Sequence, residues 1–196
     1  MGDPAADPGV VVREVGPEAL ASWSAVPIAF EVKTVYRVED AGSGWTLTEE
    51  KVDRPWVKNY ESEGDESAEW ASRFDLSNWG FLQAFVRDRA VGGAAVAFRT
   101  STVDMLEERD DLAVLWDLRV HPDYRGKGVG KHLFQAAVAW ARSRGARQLK
   151  IETQNVNVPA CKFYKGMGCR LGKIGTYPPP YENEVMLLWL LDLVRL

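Results

Sequence analysis

The residues with the clearest chemical meaning lie in one stretch, Val120-His-Pro-Asp-Tyr-Arg125-Gly126-Lys127-Gly128-Val129-Gly130-Lys131. The apolar run Leu112 to Trp116 precedes it, and the amphipathic stretch Lys131 to Arg142 follows it. The segment reads as strand, turn and helix, with three glycines and three cations in the turn. A helix N-terminus leaves backbone N–H groups unpaired and carries the positive end of the helix dipole. That is an anion site, and phosphate is the usual anion. A phosphorylated cofactor is therefore implied. Two common phosphate loops do not fit. Gly130-Lys131 is followed by His132 instead of a hydroxyl, and Arg125 stands where a P-loop has its first glycine. A dinucleotide fingerprint counted from Gly126 or Gly128 ends on Lys131 or Leu133, not on glycine.

What fits is Arg-x-x-Gly-x-Gly, at Arg125, Gly128 and Gly130. With it the chain resembles the GNAT superfamily of N-acetyltransferases, from about Trp79 onward. A second match follows the strand-like Gln148 to Gln154, where Asn157, Ala160, Tyr164 and Gly168 fit the superfamily's Asn-x-x-Ala-x-x-x-Tyr-x-x-x-Gly. Asn157 is a suitable helix N-cap, and Pro159 is tolerated in a first turn. Ala160 and Tyr164 then share a helix face. A closer resemblance is to the streptothricin acetyltransferases. It is carried by Glu152-Thr-Gln154, Ala160-Cys-Lys-Phe-Tyr164, Phe30-Glu-Val32, Trp45-Thr-Leu-Thr-Glu49 and Val57-Lys-Asn-Tyr60 with the acidic run after it. The sequence departs from that pattern at Cys169, at Asn155-Val156 and at Pro178-Pro-Pro180.

The resemblance implies an α/β (α+β) fold: a mixed, mainly antiparallel sheet with a β-α-β acyl-CoA-binding core flanked by helices. It implies direct transfer of acetyl from acetyl-CoA to a primary amine. The cofactor would be held by Leu118, Val120, Arg125, Gly126, Lys127, Gly128, Val129, Gly130, Lys131, Asn157 and Ala160. Glycine lets a backbone approach a pyrophosphate closely. An alkyl ammonium has a pKa near ~10.4, so about one part in a thousand is free amine near neutral pH. A carboxylate must take the proton, directly or through water. Asp117, which interrupts the apolar strand before the turn, is the first candidate, and Glu152 the second. An exposed edge charge remains the alternative for each. Backbone N–H groups of the Asp117–Val120 strand would support the carbonyl. Tyr164 would protonate the departing thiolate, unless it is an ordinary half-buried aromatic. Cys161 has no histidine near it in sequence and reads as a small packed residue.

The run Tyr60 to Glu69 holds five acids and no base, and Asp104 to Asp111 holds five acids and one arginine. A charge run is commonly a solvated face, but clustered acids also steer polycations. Tyr60, Glu61, Glu63, Asp65, Tyr177 and Tyr181 are accordingly the expected acceptor-binding residues, for a small cationic amine such as streptothricin. A peptide or protein N-acetyltransferase and a CoA-binding sensor without turnover remain open as alternatives.

Those residues need a frame. At 196 residues the chain suits one α/β domain, expected over residues 10–196, with residues 1–9 a frayed tail. Elements are expected at Val10–Val15, Ile28–Val38, Trp45–Val52, Asp65–Phe74 (helical), Gly80–Val86, Val91–Arg99 and Leu112–Val120. They continue with a helix from about Gly128 to Arg144 capped by Gly145, a strand at Gln148–Thr153, a helix at Val158–Met167, and strands near Cys169–Thr176 and Glu184–Leu191. No apolar run reaches 18 residues, and the start has no signal-peptide pattern. Two cysteines and two histidines give neither a disulfide framework nor a metal cluster. A cytoplasmic setting is the default, and a net charge of −4 argues against non-specific nucleic-acid binding. A homodimer is common among such proteins, although no residue here demonstrates one.

Overall fold

The computed structural model describes residues 9–42 and 44–193. The expected tail, apart from Gly9, lies outside the described residues. The elements run β1 (Val11–Val15), α1 (Leu20–Trp23), β2 (Phe30–Asp40), β3 (Trp45–Lys58), α2 (Trp70–Arg73), β4 (Trp79–Val86), β5 (Arg89–Phe98) and β6 (Leu112–Val120). They end with α3 (Val129–Ser143), β7 (Gln148–Gln154), α4 (Val158–Gly166), β8 (Arg170–Thr176) and β9 (Val185–Asp192).

Seven strands form one sheet in the order β1-β4-β5-β6-β7-β9-β8, and β2 and β3 form a separate hairpin. Among the described residues only β6 and β7 pair in parallel, joined by α3 as a β-α-β unit; the other pairs are antiparallel. The central strands are apolar on both faces because both are covered. Leu82, Ala94, Val96, Ala113 and Leu115 pack with Val129, Leu133, Phe134 and Ala137 of α3. Phe81, Ala95, Ala97 and Val114 alternate with them and pack with Leu20, Trp23, Trp70 and Leu106 on the opposite face. Close approach of these layers requires glycine at two points. A Cβ on Gly80 would sit 2.4 Å from the Trp140 ring, and one on Gly93 would sit 2.5 Å from the Trp23 ring.

Two expected elements differ. The β3 strand runs six residues beyond Val52, through Pro55. The pairing skips there, from Thr34 opposite Lys51 to Val32 opposite Trp56, so Pro55 falls in a bulge where no ladder donor is required. Asp65–Phe74 is not one helix. A 3-10 turn at Ser67–Glu69 leads into the single turn of α2, and Phe74 is already extended. Trp70 and Phe74 are drawn into an aromatic cluster with Trp79 and Trp116. Trp70 is fully buried, whereas Trp56 is 42% exposed.

The feature that creates the site lies between the two parallel strands. They pair from Leu112 opposite Gln148 to Leu115 opposite Ile151, and then the pairing stops. β6 carries a bulge at Trp116, opposite Ala95/Val96, and stays with β5 as far as Val120. β7 stays with β9 as far as Gln154 opposite Met186. Each strand follows its outer partner, so their C-terminal halves part.

Candidate active site

The parted strands open a cleft of about 820 Å³. The turn after β6 and the first turn of α3 form one end, and α4 lies along its side. Segments 28–31 and 60–65 contribute the opposite wall. His121 N–H bonds to Val91 O on the β5 side. Strand alternation therefore directs the N–H groups of Leu118 and Val120 toward the edge that β7 has left. Both residues line the cleft.

The glycine turn suits an anion. Gly126 and Gly128 have φ of +74° and +85°, the left-handed region that favours glycine. A Cβ at either would meet nothing within 4 Å, so the turn leaves open space on that side. α3 starts on Gly128 without a side-chain cap, and its first bond runs from His132 N–H to Gly128 O. The N–H groups of Val129, Gly130 and Lys131 are thus left for a ligand. These features fit a pyrophosphate. The Arg125 side chain is committed elsewhere: it donates to the carbonyls of Val120 (2.9 Å), Pro27 (3.2 Å) and Ala29 (3.0 Å). It ties the turn to the segment before β2. Lys131, Asn157 and Ala160 line the cleft, whereas Lys127 and the side chain of fully buried Val129 do not. Lys127 lies over the Tyr124 ring. Asn157 caps α4 as its type suggests, accepting from Ala160 N–H at 3.2 Å.

Asp117, Glu152 and Tyr164 all reach the cleft. Asp117 is buried, and its oxygens are taken. Arg119 donates to Oδ1 at 3.0 Å and to Oδ2 at 2.8 and 3.2 Å, and Trp23 Nε1 donates to Oδ1 at 3.3 Å. Arg119 continues to Glu61 at 2.7 Å. Burial opposes its charge, but Asp117 and Glu61 outweigh that and hold its pKa above the ordinary value. Glu152 has no cation partner among the described residues. Tyr177 O–H donates to its Oε1 at 2.6 Å, while Oε2 has no protein donor among the described residues. Burial raises its pKa, and the Tyr177 bond pulls it partly back. Tyr164 on α4 packs against Phe134 and Phe163. Its hydroxyl has no hydrogen-bond partner among the described residues, and burial, then the charge of Asp117, raises its pKa. Cys161 bonds to Thr153, and burial pushes its thiol up to about 11, which suits a packed residue.

This arrangement has close counterparts. The model of the acetyltransferase (GNAT) family matches residues 45–169. The chain belongs to the acetyltransferase (GNAT) family. It is an acetyl-CoA-dependent N-acetyltransferase, and its cofactor is acetyl-CoA. It is 33% identical to the streptothricin acetyltransferase of Streptomyces lavendulae over 71% of this chain and 70% of that one. It is 30% identical to that of Escherichia coli over 88% and 91%. The crystal structure of nourseothricin acetyltransferase superposes with a TM-score of 0.73 at 28% identity, covering 94% of this chain and 99% of the other. A protein from Bacillus anthracis solved in complex with acetyl coenzyme A superposes at 0.75 with 24% identity, over 94% and 98%.

Within this GNAT site the six expected acceptor residues divide. Tyr60 and Asp65 line the cleft; Glu61, Glu63, Tyr177 and Tyr181 do not. Glu61 is held by Arg119. Glu63 and Glu184 both bind Lys58, at 2.9 and 2.7 Å, and the Tyr60 and Tyr181 rings flank the same ammonium. Much of the acidic run is thus spent on the protein's own cations. Asp65 lies toward the cleft, accepts from Trp70 Nε1 at 2.9 Å and pairs with Arg73 at 3.6 Å, and burial raises its pKa. The expectations missed Arg119, whose position two residues after Asp117 on a strand places both on one face. They also passed over Gln154 as a side chain that orients others.

Proposed function

We propose that this GNAT enzyme acetylates a primary amine of a small cationic acceptor of the streptothricin type, by direct transfer in a ternary complex. The observation that carries the reading is the pair of groups in one cleft: among the described residues, Glu152 has no cation partner and the Tyr164 hydroxyl no hydrogen-bond partner. Acetyl-CoA supplies an activated thioester carbonyl and a thiolate leaving group. The turn from Arg125 to Lys131 holds the pyrophosphate through the backbone N–H groups that begin α3, with Asn157 and Ala160 alongside. Leu118 and Val120 N–H face the opened edge of β6 and orient the acyl arm.

Glu152, not Asp117, is the base in this proposal. Its Oε2 is open to the incoming ammonium, and its raised pKa makes it a better proton acceptor than an ordinary carboxylate. Asp117 has its lone pairs engaged by Arg119 and Trp23. Tyr164 stays protonated because burial disfavours its phenolate, so it holds a proton for the leaving sulfur. Glu152 supplies negative charge that attracts a cationic acceptor, joined by Asp65, which Arg73 at 3.6 Å compensates in part, with Tyr60 as an aromatic wall. The names of the relatives from Streptomyces lavendulae and Escherichia coli support streptothricin as the first acceptor to test.

The test is CoA-thiol release from acetyl-CoA with streptothricin beside aminoglycosides, polyamines and short peptides. Turnover with streptothricin alone is expected. Turnover with peptides alone would replace the acceptor and keep the cofactor site. Acetyl-CoA binding without turnover on any amine would favour a sensing role.

A further inference from the structure

The side chain that holds Glu152 belongs to a longer chain of hydrogen bonds with one direction. Asn157 Nδ2 donates to the Tyr60 hydroxyl at 3.4 Å. Tyr60 O–H donates to Gln154 Oε1. Gln154 Nε2 donates to the Tyr177 hydroxyl at 3.0 Å, and Tyr177 O–H donates to Glu152 Oε1 at 2.6 Å. Every donor points toward the carboxylate. Bonds aligned in this way polarise one another, and the last, to an ionised oxygen, gains most. The chain cannot carry a proton through, because Gln154 accepts at its oxygen and donates from its nitrogen and an amide does not relay between them. Its action is to hold and to polarise.

We propose that Tyr177, oriented by Gln154, is the positioning residue for the Glu152 carboxylate and not a residue that contacts the acceptor. This rests on Glu152 being the base. Three observations converge on it. Tyr177 does not line the cleft, while Glu152 and Gln154 do. Its hydroxyl is used twice inside the protein, once as acceptor and once as donor. It directly follows β8 and precedes Pro178-Pro179-Pro180, and a residue before proline favours extended backbone, which narrows the positions from which the ring starts. The proline run, a departure from the streptothricin acetyltransferase pattern, thereby gains a role as the stiff mount of Tyr177.

The surroundings of Glu152 leave this bond as its main polar contact. On its own strand Lys150 faces the same side but is bound to Met105 O at 2.7 Å and to Glu107 at 2.8 Å. Across the cleft Asp117 is paired with Arg119, Asp65 is held by Trp70 and Arg73, and Tyr60 is engaged by Gln154. Tyr164 faces it from α4. In its register row the neighbours are Leu188 on β9 and, one strand further, Lys173 on β8.

The experiment follows the Glu152 side chain directly, by NMR titration of protein labelled with carbon-13 at the glutamate carboxyl, with Glu152→Gln identifying its resonance. In Tyr177→Phe the titration midpoint is expected to rise by about one pH unit, because a hydrogen bond to the charged form is lost. The acidic limb of kcat should move with it, while the KM for acetyl-CoA stays within about twofold, since no phosphate contact is altered. Should the Phe variant not fold, Gln154→Leu, which releases the same hydroxyl, is read in its place. An unmoved midpoint, with Glu152→Gln inactive, would overturn the positioning role and leave the base in place. Wild-type turnover by Glu152→Gln would remove the base itself, whatever the titration shows.

Discussion

Asp117 on β6 and Glu152 on β7 are carboxylates on the two strands that part to form one cleft, and the protein compensates them by different means. Asp117 is given a guanidinium, fixed by three Arg119 contacts and one from Trp23. Glu152 is given a phenol and keeps one oxygen unbonded among the described residues. A cation partner saturates the lone pairs and fastens elements together: through Arg119 it links β6 to Glu61 and to the carbonyls of Trp23 and Val26. A neutral donor steadies the carboxylate without cancelling its charge, so burial can still raise its pKa. Of two acids in similar places, one fits a structural clamp and the other fits a base.

The largest effect tests the second half of that contrast. Glu152→Gln is expected to lower kcat by roughly 10²–10⁴-fold, the usual loss when a general base is removed. Its melting temperature should not fall, since the change removes a carboxylate whose charged form burial disfavours. The sign of the pH dependence follows. Because the Glu152 pKa is raised, its base form is lost as pH falls through that higher value. The wild-type acidic limb should therefore lie above the range of an ordinary carboxylate. A limb at an ordinary carboxylate position would break the comparison from this side.

Arg119→Met tests the first half. It leaves Asp117 buried without its cation and Glu61 without its partner, at an expected cost of about 3–5 kcal/mol of stability. Asp117→Asn combined with Arg119→Met should recover part of that loss, which thermal unfolding would show. If the single variant melts with the wild type, Arg119 is not a clamp and Asp117 returns as a candidate base.

Much of this site was legible in sequence because its geometry is local. The strand Leu112–Val120, the turn glycines and the helix from Val129 appear where spacing puts them, since the helix N-terminus and the positive-φ glycines are fixed by adjacent residues. The N-cap at Asn157 is likewise set by residues three apart. What stayed hidden depends on distant pairing. Five acids between Tyr60 and Glu69 read as an acidic face, but Glu61 meets Arg119 from 58 residues away, and Lys58 meets Glu184 across 126. Composition cannot reveal which cations fold back onto a run. Nor could it show that β6 and β7 part after Leu115, which turns Glu152 from one strand residue among others into a wall of the cleft.

Tyr164→Phe sharpens the comparison on the acid side of the reaction. Its hydroxyl, like Oε2 of Glu152, is left without a protein partner among the described residues, so the loss should appear in kcat and not in KM. The expected drop is roughly tenfold, smaller than for Glu152, because a thiolate can depart without first being protonated. An unchanged kcat would take Tyr164 out of the chemistry.

Lys58→Met gives the smallest effect and asks whether the clamp argument extends beyond Asp117. Lys58 is as buried as a core residue, with Glu63 and Glu184 around it and two tyrosine rings beside it. The carboxylates it would leave behind are more open than Asp117: their side chains are 27% and 16% exposed, against 2%. Water can reach them and repay part of their lost partner. The expected cost is therefore about 1–2 kcal/mol, below that of Arg119→Met. The order of the two costs is the measurement that matters. If Lys58→Met proves the more damaging, burial of the stranded carboxylate is not what sets the cost. The ranking of the two clamps would then have to rest on the tyrosine rings beside Lys58 instead.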